Sequence, residues 1–292
     1  MMERKCSVPA QAWLMRNTSL DAARSQALGR LADRLVGRTP DAPPWLLGLG
    51  GPPGTGKSTL AGLLAHLLAE RGALRDPVQV LSLDDYYLPL AARRRLARRL
   101  HPLFTRRGPP GTHDTSLLLS HVDRILDGDR GTLDLPRFDK GNDDRRPTGR
   151  TLSLAGRPAC VILEGWFVGT PPEPEARLAG PVNDLERDQD PDGRWRRHVN
   201  RSLERFDAAL RDRGAHRWHL AAPGWAQVRA WRWAQERARP PARRGLADPR
   251  AVDRFLEPFE RLCRHQLAHA PAWADVLVRL DRDHRPHLQS RP

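Results

Sequence analysis

Lysine is almost missing from this chain. Of the 49 basic residues among 292, only Lys5, Lys57 and Lys140 are lysines, and the rest are arginines. Cysteine is as rare. Cys6, Cys160 and Cys263 are odd in number and far apart, which argues against a disulfide framework and predicts reduced thiols in a cytoplasmic protein. There is no run of about 18 apolar residues, so no membrane span or membrane partner is expected. Residues 1–15 hold no apolar core long enough for a secretory signal. The length suits one decorated α/β domain or two small ones.

The formal charge of +14 invites a nucleic-acid partner. The excess is arginine, however, in a background heavy in alanine, proline and glycine, which reads as a compositional bias of the source genome. No nucleic-acid partner is expected on charge alone. Under such a bias lysine persists where arginine cannot serve. Lys57 and Lys140 therefore draw attention before any motif is considered.

Lys57 stands in Gly51-Pro52-Pro53-Gly54-Thr55-Gly56-Lys57-Ser58, a complete match to the phosphate-cradling pattern G-x-x-x-x-G-K-[ST]. Residues 45–49 before it are apolar, as a buried strand should be, and 59–71 after it carry Leu and Ala at helical spacing. In such a strand–loop–helix unit the loop N–H groups converge on phosphate oxygens and the helix N-terminus adds partial positive charge. The loop, with Thr59 beyond it, is the expected nucleoside triphosphate site. Lys57 would reach the terminal phosphates and the Ser58 hydroxyl would hold Mg²⁺.

Leu20, Leu28, Leu31 and Leu35 at helical intervals, ended by Gly37 and Pro40, predict a helix over 18–36. Strands are expected at 78–83, 131–135, 158–163, 216–220 and 276–280, and helices at 115–126, 200–210, 223–239 and 250–269. The basic stretch 93–107 reads as helix then loop, with 93–99 a solvated face, and 171–193 as largely loop. Alternating strands and helices predict an α/β fold, a mostly parallel sheet flanked by helices on both faces.

Parallel strands should deliver their ends to the crevice that holds the phosphate loop. Glu164 follows the apolar Val161-Ile162-Leu163, the placement of an acid that binds Mg²⁺ directly or through water. Asp84 closes the second strand and is placed to take the proton of an attacking hydroxyl, in preference to its neighbour Asp85. Arg107-Gly-Pro-Pro-Gly-Thr-His113-Asp114 is a rigid segment ending in polar groups, where Asp114 also reads as the cap of the helix that follows. Phe138-Asp139-Lys140-Gly-Asn-Asp-Asp-Arg145 sets one of the three lysines among alternating charges. Cys263, His265 and His269 lack a fourth ligand at metal spacing, so no zinc is expected. Trp225, Trp231 and Trp233 read as helix packing.

These segments occur in order with L-D-D-Y-Y-L at the second strand end, L-E-G-W-F-V-G, D-G-R-W-R-R-H-V-N and W-R-W-A-Q-E. Together they closely resemble the D-glycerate 3-kinase family, a branch of the P-loop kinases similar to uridine kinase, phosphoribulokinase and bacterial pantothenate kinase. The resemblance covers about residues 43–285, and R-G-x-P-G-T-H-D is its most discriminating element. It implies a P-loop kinase fold with a helical lid, ATP and Mg²⁺ as cofactors, Asp84 in the catalytic-base position and a magnesium role for Glu164. The uridine kinase pattern Y-D-x-x-x-H-x-R falls on Phe138, Asp139 and Arg145, but Asp143 takes the histidine position, so a nucleoside acceptor is not supported. Where bacterial relatives usually show H-Y-E-R-L-T-R-H, this chain has Pro258-Phe-Glu-Arg-Leu-Cys-Arg-His265, a departure that bears on local helix geometry.

The residues agree with such a substrate. A hydroxy acid needs cations for its carboxylate, and Arg107, His113, Lys140 and Arg145 are the candidates, arginine being able to grip a carboxylate through two parallel bonds. Asp85, Asp114 and Asp139 complete the expected acceptor site, and Arg232 and Arg237 are the expected lid residues. The expected organisation is a helical extension at 1–42 and a kinase domain at 43–292, with the lid at 229–250. Two rival readings remain: a kinase of the same scaffold acting on a sugar, nucleoside or pantothenate-like alcohol, and a nucleic-acid-associated ATPase. A GTP-binding switch would need D-x-x-G and [NT]-K-x-D motifs that this chain lacks.

Overall fold

The computed structural model describes residues 7–40, 43–70, 78–156, 160–239, 245–246 and 248–289. Lys5 and Cys6 lie outside these residues, as do 240–244 and 247 of the expected lid. Strand β1 (Trp45–Gly50) is buried at every position, as a strand covered on both faces must be. It lies inside a six-stranded sheet ordered β10-β9-β8-β1-β7-β2. The flanking strands are β2 (Gln79–Ser82), β7 (Cys160–Glu164), β8 (His216–Ala221), β9 (Val276–Leu280) and β10 (Pro286–Gln289). All pairings are parallel except β9 with β10.

The pleat sorts side chains between two cores. Leu47, Leu49 and Ile162 join a cluster with α3 (Lys57–Glu70) through Leu60 and Leu64. Ala10 and Leu14 of α1 (Val8–Asn17) and Leu31 and Leu35 of α2 (Ala22–Val36) enter the same cluster. Leu46, Val161 and Leu163 face the other way. They meet Leu118 and Val122 of α5 (Thr115–Leu126), Leu203 and Phe206 of α7 (Arg194–Asp212), and Leu256 and Phe259 of α9 (Pro249–Trp273). The N-terminal helices thus share a core with the phosphate-loop helix. Among the described residues no helix is long and apolar enough to cross a membrane, and Cys160 and Cys263 are buried.

Several expectations are corrected. Helix α1 was not foreseen. It is capped by Ser7, whose own amide and hydroxyl both donate to Asp33 of α2 at 2.7 Å. The stretch 171–193, expected to be largely loop, is so apart from a 3₁₀ turn at Glu175–Leu178 and the short α6 (Asp184–Gln189), started by the Asn183 side chain. Helix α9 runs 25 residues with Pro258 and Pro271 inside it, so packing overrides the loss of two backbone donors. Arg93 is no part of a solvated face. On α4 (Leu90–Arg99) it is fully buried and donates to the carbonyls of Leu88, Thr105 and Asp143. Two two-stranded sheets complete the fold: β3 (Arg130–Leu135) with β6 (Arg150–Ala155), and β4 (Phe138–Asp139) with β5 (Asp144–Arg145).

Candidate active site

Between β1 and α3 the chain turns through three glycines with positive φ, Gly51 at 143°, Gly54 at 84° and Gly56 at 83°. A side chain on Gly51 would also meet the Leu220 carbonyl oxygen at 2.4 Å, so only glycine serves there. Thr55 Oγ1 and Lys57 Nζ both donate to the Pro52 carbonyl, at 2.9 and 3.0 Å, drawing the loop around its own lysine. Burial lowers the Lys57 ammonium pKa, and the charges of Glu164 and Asp84 work against that shift. Those two carboxylates arrive from the ends of neighbouring parallel strands, as the sheet's topology requires.

Glu164 ends β7, and the register sets it opposite Ser82, the last residue of β2. Its Oε1 accepts from Ser58 Oγ at 3.0 Å and Ser82 Oγ at 2.7 Å, and the residue is buried. A buried carboxylate and two hydroxyls at the start of the phosphate-loop helix form an all-oxygen donor set. That chemistry suits a hard cation such as Mg²⁺, which keeps waters and takes further ligands from substrate phosphates. Among the described residues no group of three or more His, Cys, Asp or Glu could hold a metal by itself.

Asp84 lies in a short 3₁₀ turn, Leu83–Tyr86, directly after β2. The β4–β5 hairpin bends over it and brings Lys140 Nζ to 2.6 Å from Oδ2. Burial alone would raise the Asp84 pKa; the Lys140 ammonium and its hydrogen bond, with Lys57 behind, turn the balance and hold the carboxyl below its ordinary value. Asp85 goes the other way. Burial raises it despite the Phe138 amide, which donates to its Oδ1 at 3.3 Å. Two adjacent carboxyls are thus pushed apart, Asp84 toward the ionised form. The hairpin is fixed through Asp143 (φ 54°), which pairs with Arg107 and, at 3.0 Å, with buried Arg93. Arg107 also donates to the Lys140 carbonyl at 3.2 Å.

All of this opens on one cavity of ≈ 1190 Å³, lined by Gly54, Lys57, Ser58, Asp84, Asp85, Arg107, Lys140, Glu164 and Arg232, and walled on one side by Trp166, Phe255, Pro258 and Phe259. Arg232 comes from α8 (Trp225–Arg237) and stands 5.0 Å from the centre of the Phe255 ring. Other expected site residues stand outside the lining. Arg237 is exposed on the same helix. Asp114 caps α5 by accepting from the Leu117 amide at 3.1 Å. Arg145 braces the Asp84 turn from behind, donating to the Tyr87 carbonyl at 3.0 Å, and Asp139 accepts from Gly141 and Asn142, shaping the loop that carries Lys140.

His113 is not the expected cation. It is buried, burial pushes its pKa down to about 3, and its ring lies 4.1 Å from that of Tyr87. Sequence reasoning also missed Ser82, Arg93 and Asp143. Ser82 was within reach, lying inside the strand expected at 78–83 and two residues before Asp84.

A phosphate loop on a parallel sheet, with acids at the adjoining strand ends, defines the P-loop kinase class. No family model matches the chain. The chloroplastic D-glycerate 3-kinase of Arabidopsis thaliana is 24% identical over 273 residues, covering 85% of this chain and 55% of the relative. The pantothenate kinase of Sorangium cellulosum is 30% identical over 227 residues, covering 75% of this chain and 69% of the relative. The chain spans about half the length of the first curated relatives it matches. The solved D-glycerate 3-kinase of Cryptococcus neoformans superposes with a TM-score of 0.66 at 24% identity, over 93% of this chain and 100% of that one. This chain belongs to the P-loop kinase family that includes D-glycerate 3-kinase and pantothenate kinase.

Proposed function

We propose that this protein transfers the γ-phosphoryl group of ATP to a hydroxyl of a small hydroxy acid, converting D-glycerate to 3-phosphoglycerate. The observation that carries the reading is the convergence of Lys57 and Asp84, each within the other's electrostatic reach, in a cavity that also presents Arg107 and Lys140. Asp84 accepts the proton of the attacking hydroxyl. The hydroxyl oxygen forms its bond to the γ-phosphorus as the bond to the bridging oxygen breaks, and ADP leaves with that electron pair. Lys57 balances charge on the terminal phosphates, while Arg107 and Lys140 hold the acceptor's carboxylate. Arg232 closes over the transferring group. Mg²⁺ held by Ser58 and Glu164 would neutralise charge on the phosphate oxygens.

A second reading, a longer pantothenate-like acceptor, draws support from the apolar wall of Phe255, Pro258, Phe259 and Trp166 and from the Sorangium relative. ATP turnover measured with D-glycerate, L-glycerate, uridine, pantothenate and single-stranded DNA separates the cases. Turnover confined to D-glycerate is expected. Turnover with pantothenate alone moves the assignment to the second reading, and stimulation by DNA alone overturns both.

A further inference from the structure

Behind the phosphate loop, outside the cavity, stands a bracket that none of the chemistry above uses. The turn between β9 and β10 is tied by Asp281, whose carboxylate accepts from the amides of Asp283 and Arg285 at 2.8 Å each. At its tip His284 holds φ at 62°, a left-handed conformation that a non-glycine side chain adopts at an energetic cost. Its ring stacks on Trp231 of α8 with centroids 3.8 Å apart and planes 26° apart, and Trp231 Nε1 donates to the Arg282 carbonyl at 3.2 Å. His284 Nε2 lies 3.0 Å from the carbonyl oxygen of Gly54. That carbonyl has only acceptor capacity, so the imidazole must present Nε2–H as the donor.

Gly54 lines the cavity, whereas His284 and Trp231 are absent from its lining among the described residues. The Gly54 carbonyl therefore points outward to the imidazole. In a planar trans peptide the following N–H points the opposite way, so Thr55 N–H is turned away from His284, toward the side on which Gly54 and Gly56 line the cavity and on which phosphate oxygens would be gathered. We propose that His284 is a positioning residue that sets the Gly54–Thr55 peptide for nucleotide binding and, through its stack on Trp231, joins the phosphate loop to the helix bearing Arg232. The strained φ fits this role, since it aims the ring between loop and helix. The inference rests on nucleotide binding at the loop and is independent of the acceptor's identity.

The test is an equilibrium titration of full-length protein with ATP, beside thermal melts and steady-state kinetics, for His284→Ala, His284→Gly and His284→Gln. Loss of one donor should weaken ATP binding about five- to tenfold in the Ala and Gly variants, with the acceptor KM unchanged. His284→Gln retains an N–H₂ donor at similar reach and should restore most of the affinity. His284→Gly relieves the backbone strain, so its melting temperature should not fall although its ATP affinity does, and this contrast separates positioning from general destabilisation. If the Ala variant fails to fold, the Gly and Gln pair decides alone. Parent-like ATP affinity in His284→Gly, or affinity in His284→Gln no better than in His284→Gly, overturns the proposal.

Discussion

The loop at 51–58 and the hairpin at 138–145 face the same cavity and are built by opposite means. The loop carries one charged side chain, Lys57, and its shape comes from three positive-φ glycines and hydrogen bonds to its own Pro52 carbonyl. The hairpin is held by charge: Lys140 on Asp84, Arg107 and Arg93 on Asp143, and Arg145 on the Tyr87 carbonyl. A phosphate wall made from backbone needs no charged partner to present its N–H groups, only contacts that hold its peptides in place, such as His284 on the Gly54 carbonyl. A wall made from ion pairs holds its cations in place only while every partner is present. Single substitutions on the two walls should therefore fail in different ways.

Lys57→Met tests the backbone wall at its one charge. Removing a preorganised charge from the transferring group should lower kcat by about 10²–10³-fold, and turnover near the parent's would show that the loop backbone suffices. Asp84→Asn tests the boundary between the walls. It should keep ATP binding, measured by titration, while kcat falls by at least ~10²-fold, as for loss of a general base. Near-normal turnover would remove Asp84 from that role.

Lys140→Met sharpens the comparison through pH. The base must be ionised, and Lys140 is the main influence holding the Asp84 carboxyl down against a burial that pushes it up. With the ammonium gone, Asp84 takes up a proton at higher pH, so the acid limb of the kcat/KM profile should move to higher pH. An unmoved limb would mean that another group sets it.

The same division governs how much could be read in advance. The phosphate loop, the buried strands around it and the helix at 115–126 are local patterns, and each is legible from neighbours in sequence. The candidate site is not local. Glu164 meets Ser82 and Ser58 across 82 and 106 residues, and Lys140 meets Asp84 across 56. Glu164, Asp84 and Lys140 stood out, as strand-end acids and as a lysine in an arginine-biased chain, and were expected around one crevice, but the Lys140–Asp84 ion pair and the Ser82 hydroxyl on Glu164 were not. In the run Arg93-Arg94-Arg95 no spacing tells which arginine turns inward, and the Thr105 and Asp143 carbonyls that help to hold Arg93 there arrive 12 and 50 residues on. His113 fell to the same blindness, since a histidine in a turn does not reveal that Tyr87 and Phe167 will close over its ring.

Asp114→Ala is the mildest break and separates two roles for one carboxylate. As a helix cap it accepts from the Leu117 amide at 3.1 Å, and its loss should destabilise the fold by about 1 kcal/mol. Its contact with Arg145 is long, at 3.6 Å, and such pairs add little. Arg145 also holds the Tyr86 and Tyr87 carbonyls directly, so the Asp84 turn should keep its place when Asp114 is gone. The melting temperature should fall by about 2–4 °C with the acceptor KM unchanged. A tenfold rise in that KM with an unchanged melt would instead make Asp114 part of the acceptor wall, and would extend the ion-pair network onto the segment that begins at Arg107.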